Sequence, residues 1–354
     1  MNEKILYKKE LPKFYEEIAD KYNFFAPVKD KNNIYFKKIE NPDEILLNYF
    51  NSKIPPKEIL FPRNEILFKY EYEGDKVKII KPDNIEEKNA IFGIRPCDAN
   101  SFKILEKIFA SGKFKDDLFL KKKENSLLIA IGCNNPKKTC FCTSVYGGPF
   151  RKEDVDLFLT DLGDKFLIQP ISEKGKEILN PMRWLTDAGE KDLETALELA
   201  KQAESKIKTQ LNLKDIDKIM KNIFNHEIWN DISSSCLGCG TCAFLCPTCH
   251  CFDVIDEHDH YNNKGARIRI WDTCQFCIYT LHTSGHNPRP TQIERCRNRI
   301  LHKFSYIPEN FNTIGCVGCG RCVQYCPVNN DLRLIIEKIR DLQIKDKKEE
   351  MIVV

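Results

Sequence analysis

The chain has 354 residues, with 55 Lys and Arg against 52 Asp and Glu, 42% hydrophobic and 30% charged. At roughly 150 residues per domain that length predicts about two domains and excludes a minimal ferredoxin, while the composition is that of a globular chain with a core, not of a disordered one. A net charge of +3 gives no field suited to nucleic acid or an anionic membrane, and with a mean hydropathy of -0.44 and no run near the ~18 apolar residues of a spanning helix, no membrane span is expected.

The opening MNEKILYKKELPKF has no apolar stretch of the signal-peptide kind, so a cytoplasmic chain is expected. Residues 1–185 read as a mixed α/β domain, with strands predicted at 76–80, 90–94, 127–131 and 165–168 from apolar runs bounded by turn residues. Between the second and third, Asp98 is placed to cap a helix that carries Phe102, Leu105 and Phe109 on one face and stops near Gly112. Residues 186–230 form a helical connector, centred on a Gly- and Pro-free stretch at 191–225, and the domain boundary falls between 185 and 225. The remainder, 231–354, ends in an amphipathic helix marked by Leu332, Ile335, Ile336, Ile339 and Leu342, which runs into the charged, frayed tail 344–350.

Cysteine is the decisive residue. There are 17: none before Cys97, four from Cys97 to Cys142, and thirteen from Cys236 to Cys326. In a reducing compartment such density reads as metal ligands or redox groups, and an odd count argues against a disulfide framework. The segment CLGCGTCAFLCP at 236–247 returns as CVGCGRCVQYCP at 316–327, eighty positions later.

Each copy is a Cys-x2-Cys-x2-Cys-x3-Cys-Pro run. Three cysteines at that interval wrap one [4Fe-4S] cluster, and in two-cluster ferredoxins the fourth ligates the other cluster. On this chain Cys236, Cys239, Cys242 and Cys326 hold the first cluster, and Cys316, Cys319, Cys322 and Cys246 hold the second. Gly238, Gly240, Gly318 and Gly320 let the loop turn N–H groups toward cluster sulfurs. Structural zinc uses paired knuckles around a single ion and fits three evenly spaced cysteines badly. The 69 residues between the runs, 247–315, exceed the connection of a compact ferredoxin and predict an all-helical dicluster module with a long insert, in an α+β chain overall.

Four further cysteines follow predicted strands: Cys97 in IRPCD, and Cys133, Cys140 and Cys142 in IGCNNPKKTCFC. If those strands are parallel neighbours, both loops leave one sheet edge, where α/β sites form, and the four thiolates constitute a candidate third [4Fe-4S] site. Buried free thiols are the alternative. The insert holds Cys249, Cys251, Cys274, Cys277 and Cys296 with six of the seven histidines, in no recognised zinc spacing. Its arginines, Arg267, Arg269, Arg289, Arg295, Arg297 and Arg299, either neutralise anionic clusters or form a solvated face.

No nucleotide-binding glycine motif occurs, so coupling to a nicotinamide needs a flavin in a partner. RPCD (95–98), CFCTS (140–144), DLFLTDLGDKFLI (156–168), CPTCHC (246–251), RIRIWDTC (267–274) and SGHNPR (284–289) together resemble one family. It comprises the beta, iron–sulfur subunits of sulfhydrogenase-type [NiFe] hydrogenases together with the equivalent iron–sulfur subunits of anaerobic sulfite reductases, and FFAP (24–27) and PPKEILFP (55–62) extend the resemblance toward the N-terminus. The resemblance implies a non-catalytic electron-transfer subunit in a hetero-oligomer. Its partners would be a flavin-containing, diaphorase-like protein and a catalytic redox protein, either a [NiFe] hydrogenase or a siroheme sulfite reductase. A different class of reading makes the chain itself a catalyst, with Cys249, Cys251, Cys274 or a histidine of the insert acting on a sulfur or disulfide substrate.

Overall fold

A computed structural model describes residues 3–82 and 86–352, with side chains described as far as Leu342. The chain divides into two units that interleave in sequence: Met1–Pro136, Gly147–Lys206 and Phe252–Trp271 form the first, and Lys137–Tyr146, Ile207–Cys251 and Asp272–Val354 the second.

The first unit contains strands β1 (Lys4–Tyr7), β2 (Asn23–Asp30), β3 (Asn33–Lys38), β4 (Asn64–Glu73), β5 (Lys76–Ile80), β6 (Asn89–Ile94), β7 (Ser126–Ile131), β8 (Leu157–Asp161), β9 (Lys165–Pro170), β10 (Thr186–Asp187), β11 (Phe252–Asp259) and β12 (Lys264–Trp271). Eight of them form one sheet in the order β10-β1-β9-β8-β7-β6-β2-β3. Its centre, β2, β6, β7 and β8, is parallel, and every residue of β6 and β7 is buried. Uninterrupted apolar runs such as AIFGI and LLIAI suit strands covered on both faces. Phe14, Phe24, Phe92 and Phe166 fill one layer of that core.

The crossover from β6 to β7 uses helices Pro96–Phe109 and Asp117–Glu124. Asp98 does not cap the first of them: the N-cap is Arg95, in extended conformation, and Pro96 at the first helical position sets the start. Arg95 instead ties the carboxyl ends of the two strands together. Its guanidinium donates to Gly132 O at 2.9 Å, Ile131 O at 3.4 Å, Phe50 O at 2.9 Å and Tyr49 O, satisfying carbonyls that the strand ends leave without ladder partners.

The second sheet corrects the expectation of a helical insert. Residues 252–271, between the two cysteine runs, form the hairpin β11–β12, which joins β4 and β5 in the order β11-β12-β4-β5. The segment ARIRIW alternates with period two, as a strand requires. Asp259 accepts from the backbone N–H groups of Tyr261 and Asn262 to close the turn. Glu65 of β4 and Arg269 of β12 meet the helix Asp117–Glu124 and its cap in a quartet of charge, with Asp116 half-buried and the other three buried: Arg269 bonds Glu65 and Asp116, and Lys122 bonds Glu65. Trp271 stacks on Phe61 at 5.9 Å between centroids and donates to its carbonyl at 3.1 Å.

The described elements of the second unit are helices, the principal ones being Ile216–Asn222, Ile228–Ser233, Gln292–Leu301 and Leu332–Ile352. Its core gathers Phe141, Met220, Trp229, Ile300, Phe304, Leu332, Ile336 and Ile339, so the stripe expected on the last helix faces inward. The backbone of that helix continues to Ile352, and the side chains of the charged tail lie outside the described residues. The connector is not one helix over 191–225. Helix Glu190–Ser205 ends before the unit boundary and Ile216–Asn222 begins after it. Between them Asn212 accepts from the N–H of Lys214 at 3.0 Å, a local turn that competes with the helical ladder. Among the described residues no helix is long and apolar enough to cross a membrane.

Candidate iron–sulfur centres

The sequence repeat is also a structural one. Gly238 and Gly240 adopt φ of +65° and +73°, Gly318 and Gly320 +63° and +73°. Each loop then enters a single helical turn, Thr241–Phe244 or Arg321–Gln324. A left-handed backbone at both glycines brings the cysteines of a run to one side of the loop, and in each run the N–H of the first glycine meets the first cysteine: Gly318 N lies 3.4 Å from Cys316 Sγ, and Gly238 N bonds Cys236.

Cys236, Cys239, Cys242 and Cys326 line one cavity, which Cys322 and Cys296 also reach. Cys316 is in electrostatic contact with Cys322 and Cys246, with Cys319 three residues along the same loop. The chain thus brings Cys326 to the first run and Cys246 to the second. Among the described residues no three Cys, His, Asp or Glu side chains are set to hold a single ion. The six histidines of the insert fall into separate ring pairs, His258 with His260, His282 with His286, and His250 with His302. Of the four N-terminal cysteines, Cys97 and Cys133 belong to the first unit and Cys140 and Cys142 to the second. Burial pushes the Cys133 thiol up, against the pull of Arg95.

One helix supplies what the cysteine spacing did not reveal. Gln292, Cys296, Arg299 and Lys303 recur at intervals of four, three and four, a single stripe along helix Gln292–Leu301 and the π-helical turn His302–Tyr306 that continues it. Gln292 Nε2 donates to Cys236 Sγ at 3.2 Å. Cys296 bonds Cys236, a contact that holds Cys236 below and Cys296 above the ordinary thiol range. Arg299 donates to Cys242 O at 3.4 Å, and Lys303 Nζ donates to Cys246 Sγ at 3.1 Å. Burial opposes the charge of both cations, but the facing cysteines, Cys242 and Cys322 for Arg299, Cys246 and Cys249 for Lys303, outweigh it and hold both pKa values above their usual range. Conversely, burial pushes Cys242 up to about 11 and Cys316 up to about 12, with Arg299 and Lys303 respectively pulling down.

These cations test whether an iron–sulfur cluster fits. Both are buried, neither pairs with a carboxylate among the described residues, and Arg299 Nε is a buried donor with no acceptor. An uncompensated buried charge is strongly destabilising. Thiolates around an anionic cluster supply the missing countercharge, and its sulfides supply acceptors, so the donor set fits. The signal in the sequence was the 292–296–299–303 spacing, obscured because a helix as polar as this one ordinarily turns such residues to water.

Comparison with known proteins agrees. A family model described as a 4Fe-4S dicluster domain matches residues 235–330. Over 338 residues the chain is 30% identical to the sulfhydrogenase 2 subunit beta of Pyrococcus furiosus, an alignment that spans 95% of this chain and 98% of that protein. No solved structure matches the chain.

Proposed function

The chain belongs to the family of sulfhydrogenase beta subunits, and on that premise we propose that it is an electron carrier within a larger oxidoreductase, relaying single electrons between a flavin-bearing, NAD(P)-linked partner and a catalytic [NiFe] subunit. Cys236, Cys239, Cys242 and Cys326 would hold one [4Fe-4S] cluster, and Cys246, Cys316, Cys319 and Cys322 the other. Bound clusters supply reversible one-electron chemistry over a wide range of potential.

The residues around them do the rest. Glycine N–H groups and Gln292 donate to ligand sulfurs, Arg299 and Lys303 offset accumulated negative charge, and Val317, Leu332 and Ile300 exclude water. The observation that carries the reading is the pair of buried cations aimed at Cys242 and Cys246, two cysteines of the first repeated loop that the reading gives to different clusters, with no carboxylate among the described residues to balance them.

Iron and acid-labile sulfide per chain, measured on anaerobically purified protein with EPR of the reduced form, test it. About eight irons and two interacting four-iron signals are expected. About twelve would add the third site at Cys97, Cys133, Cys140 and Cys142, whereas a colourless, zinc-loaded chain would overturn the reading.

A further inference from the structure

The two runs share a backbone but not an environment. At positions eighty residues apart, Leu237 is 66% exposed and Val317 is 2% exposed, while Cys239 is exposed and Cys319 is 9% exposed. Residues 139–142 cover the second run: Phe141 N donates to Gly318 O at 2.9 Å, and the Cys140 thiol reaches Cys319 O at 3.8 Å. Burial by itself penalises the reduced form of a cluster, which carries one more negative charge, and so lowers the potential of the covered site.

Lys303 acts in the opposite sense. Its ammonium donates to Cys246 Sγ at 3.1 Å, Thr248 Oγ1 at 3.1 Å and Gly315 O at 3.0 Å, which uses all three N–H groups and fixes the charge against one ligand. The π-helical turn that presents it is a departure from regular helix often found at functional positions. The corresponding ligand of the first cluster, Cys326, receives the neutral N–H of Asn330 at 3.2 Å and, among the described residues, no hydrogen bond from a charged group. Arg299 lines the cavity of the first run and donates to Cys242 O at 3.4 Å, but Cys322 and Cys246 also act on its charge, so it bears on both clusters where Lys303 is fixed on a ligand of the second. A fixed full charge at hydrogen-bond distance from a ligand attracts the added electron, and like the burial effect it opposes this attraction grows as the surroundings become less polar, so which of the two prevails is what the Lys303 variants read.

We propose that Lys303 makes the cluster bound through Cys246, Cys316, Cys319 and Cys322 the higher-potential member of the pair, so that an electron taken up at the exposed first run comes to rest on the second. The step moves one electron, oxidising the first cluster and reducing the second, and breaks no bond. The proposal rests on the two-cluster reading above.

The test is a potentiometric EPR titration of the full chain, as purified and as the Lys303→Met and Lys303→Arg variants, with iron and sulfide measured on each. Two resolved potentials are expected in the parent. In Lys303→Met the higher one falls while the lower holds, at unchanged iron content, and in Lys303→Arg the original order is kept. Lys303→Gln, which drops the charge but retains a donor, is to show the same fall should Lys303→Met assemble poorly. Two signals whose potentials stay in place in the charge-deleted variants, or shift equally, would overturn the role of Lys303 alone. Absence of two four-iron signals in the parent would overturn the two-cluster reading together with it.

Discussion

Gly238 and Gly318 occupy the same place in the two loops, and exchanging each for alanine separates the demands of backbone conformation from those of packing. Both have φ near +65°, where a Cβ costs about 1–2 kcal/mol. At Gly238 the new methyl would lie 2.5 Å from Gln292 Oε1, the end of a side chain that can swing away, with the loss of its bond to Cys236 at about 1 kcal/mol. At Gly318 it would lie 2.5 Å from Cys142 N and Cα and from Phe141 C, which are backbone atoms. Relief there means lifting the cover from the second run, about 1–3 kcal/mol of overpacking plus the Phe141 N to Gly318 O bond. Gly318→Ala should therefore be the worse by about 1–3 kcal/mol. Anaerobic urea unfolding of the two full-length variants, with retained iron counted after desalting, reads the difference. Equal midpoints, or a lower midpoint for Gly238→Ala, would refute the argument that residues 139–142 are seated on the second loop.

Two further outcomes follow from burial and charge. Glu65→Gln leaves Arg269 with Asp116 alone and takes from Lys122 the carboxylate it pairs with, and should cost about 3–5 kcal/mol; a urea midpoint within experimental error of the parent would show that water, not protein, balances the quartet. An added iron chelator or ferricyanide should remove iron in two phases of equal size, the faster from the run that exposes Leu237 and Cys239. Cys326→Ser should abolish the fast phase first, and a single phase in the parent would argue against unequal access.

What could be read from the chain alone was what is local along it. Ligand spacing and the Cys-Pro ending are fixed within twelve residues, and the strands at β5, β6, β7 and β9 announce themselves as short apolar runs. The hairpin β11–β12 was misjudged although its alternation was visible in ARIRIW, since its partner β4 lies about two hundred residues upstream and the adjoining cysteines drew the whole insert into the cluster module. Asp98 has the chemistry of a cap, but Pro96 had already determined where the helix begins. Lys303 was illegible for a different reason, and the same reason left Arg299 open between neutralising a cluster and facing water. Charged residues default to solvent, and only the anionic centre they face accounts for their burial.

The interleaving of the two units sets an order on biosynthesis. A nascent chain that has emerged only as far as Lys206 has β4 and β5 but neither β11 nor β12, and its Glu65 and Asp116 have yet to meet Arg269. By the time Trp271 is available, residues 236–246 have been synthesised with only three of the four ligands proposed for the first centre, because Cys326 is still fifty-five positions away. The sheet unit can therefore close before either metal centre can be completed, and neither half of the chain can be obtained by cutting the gene once.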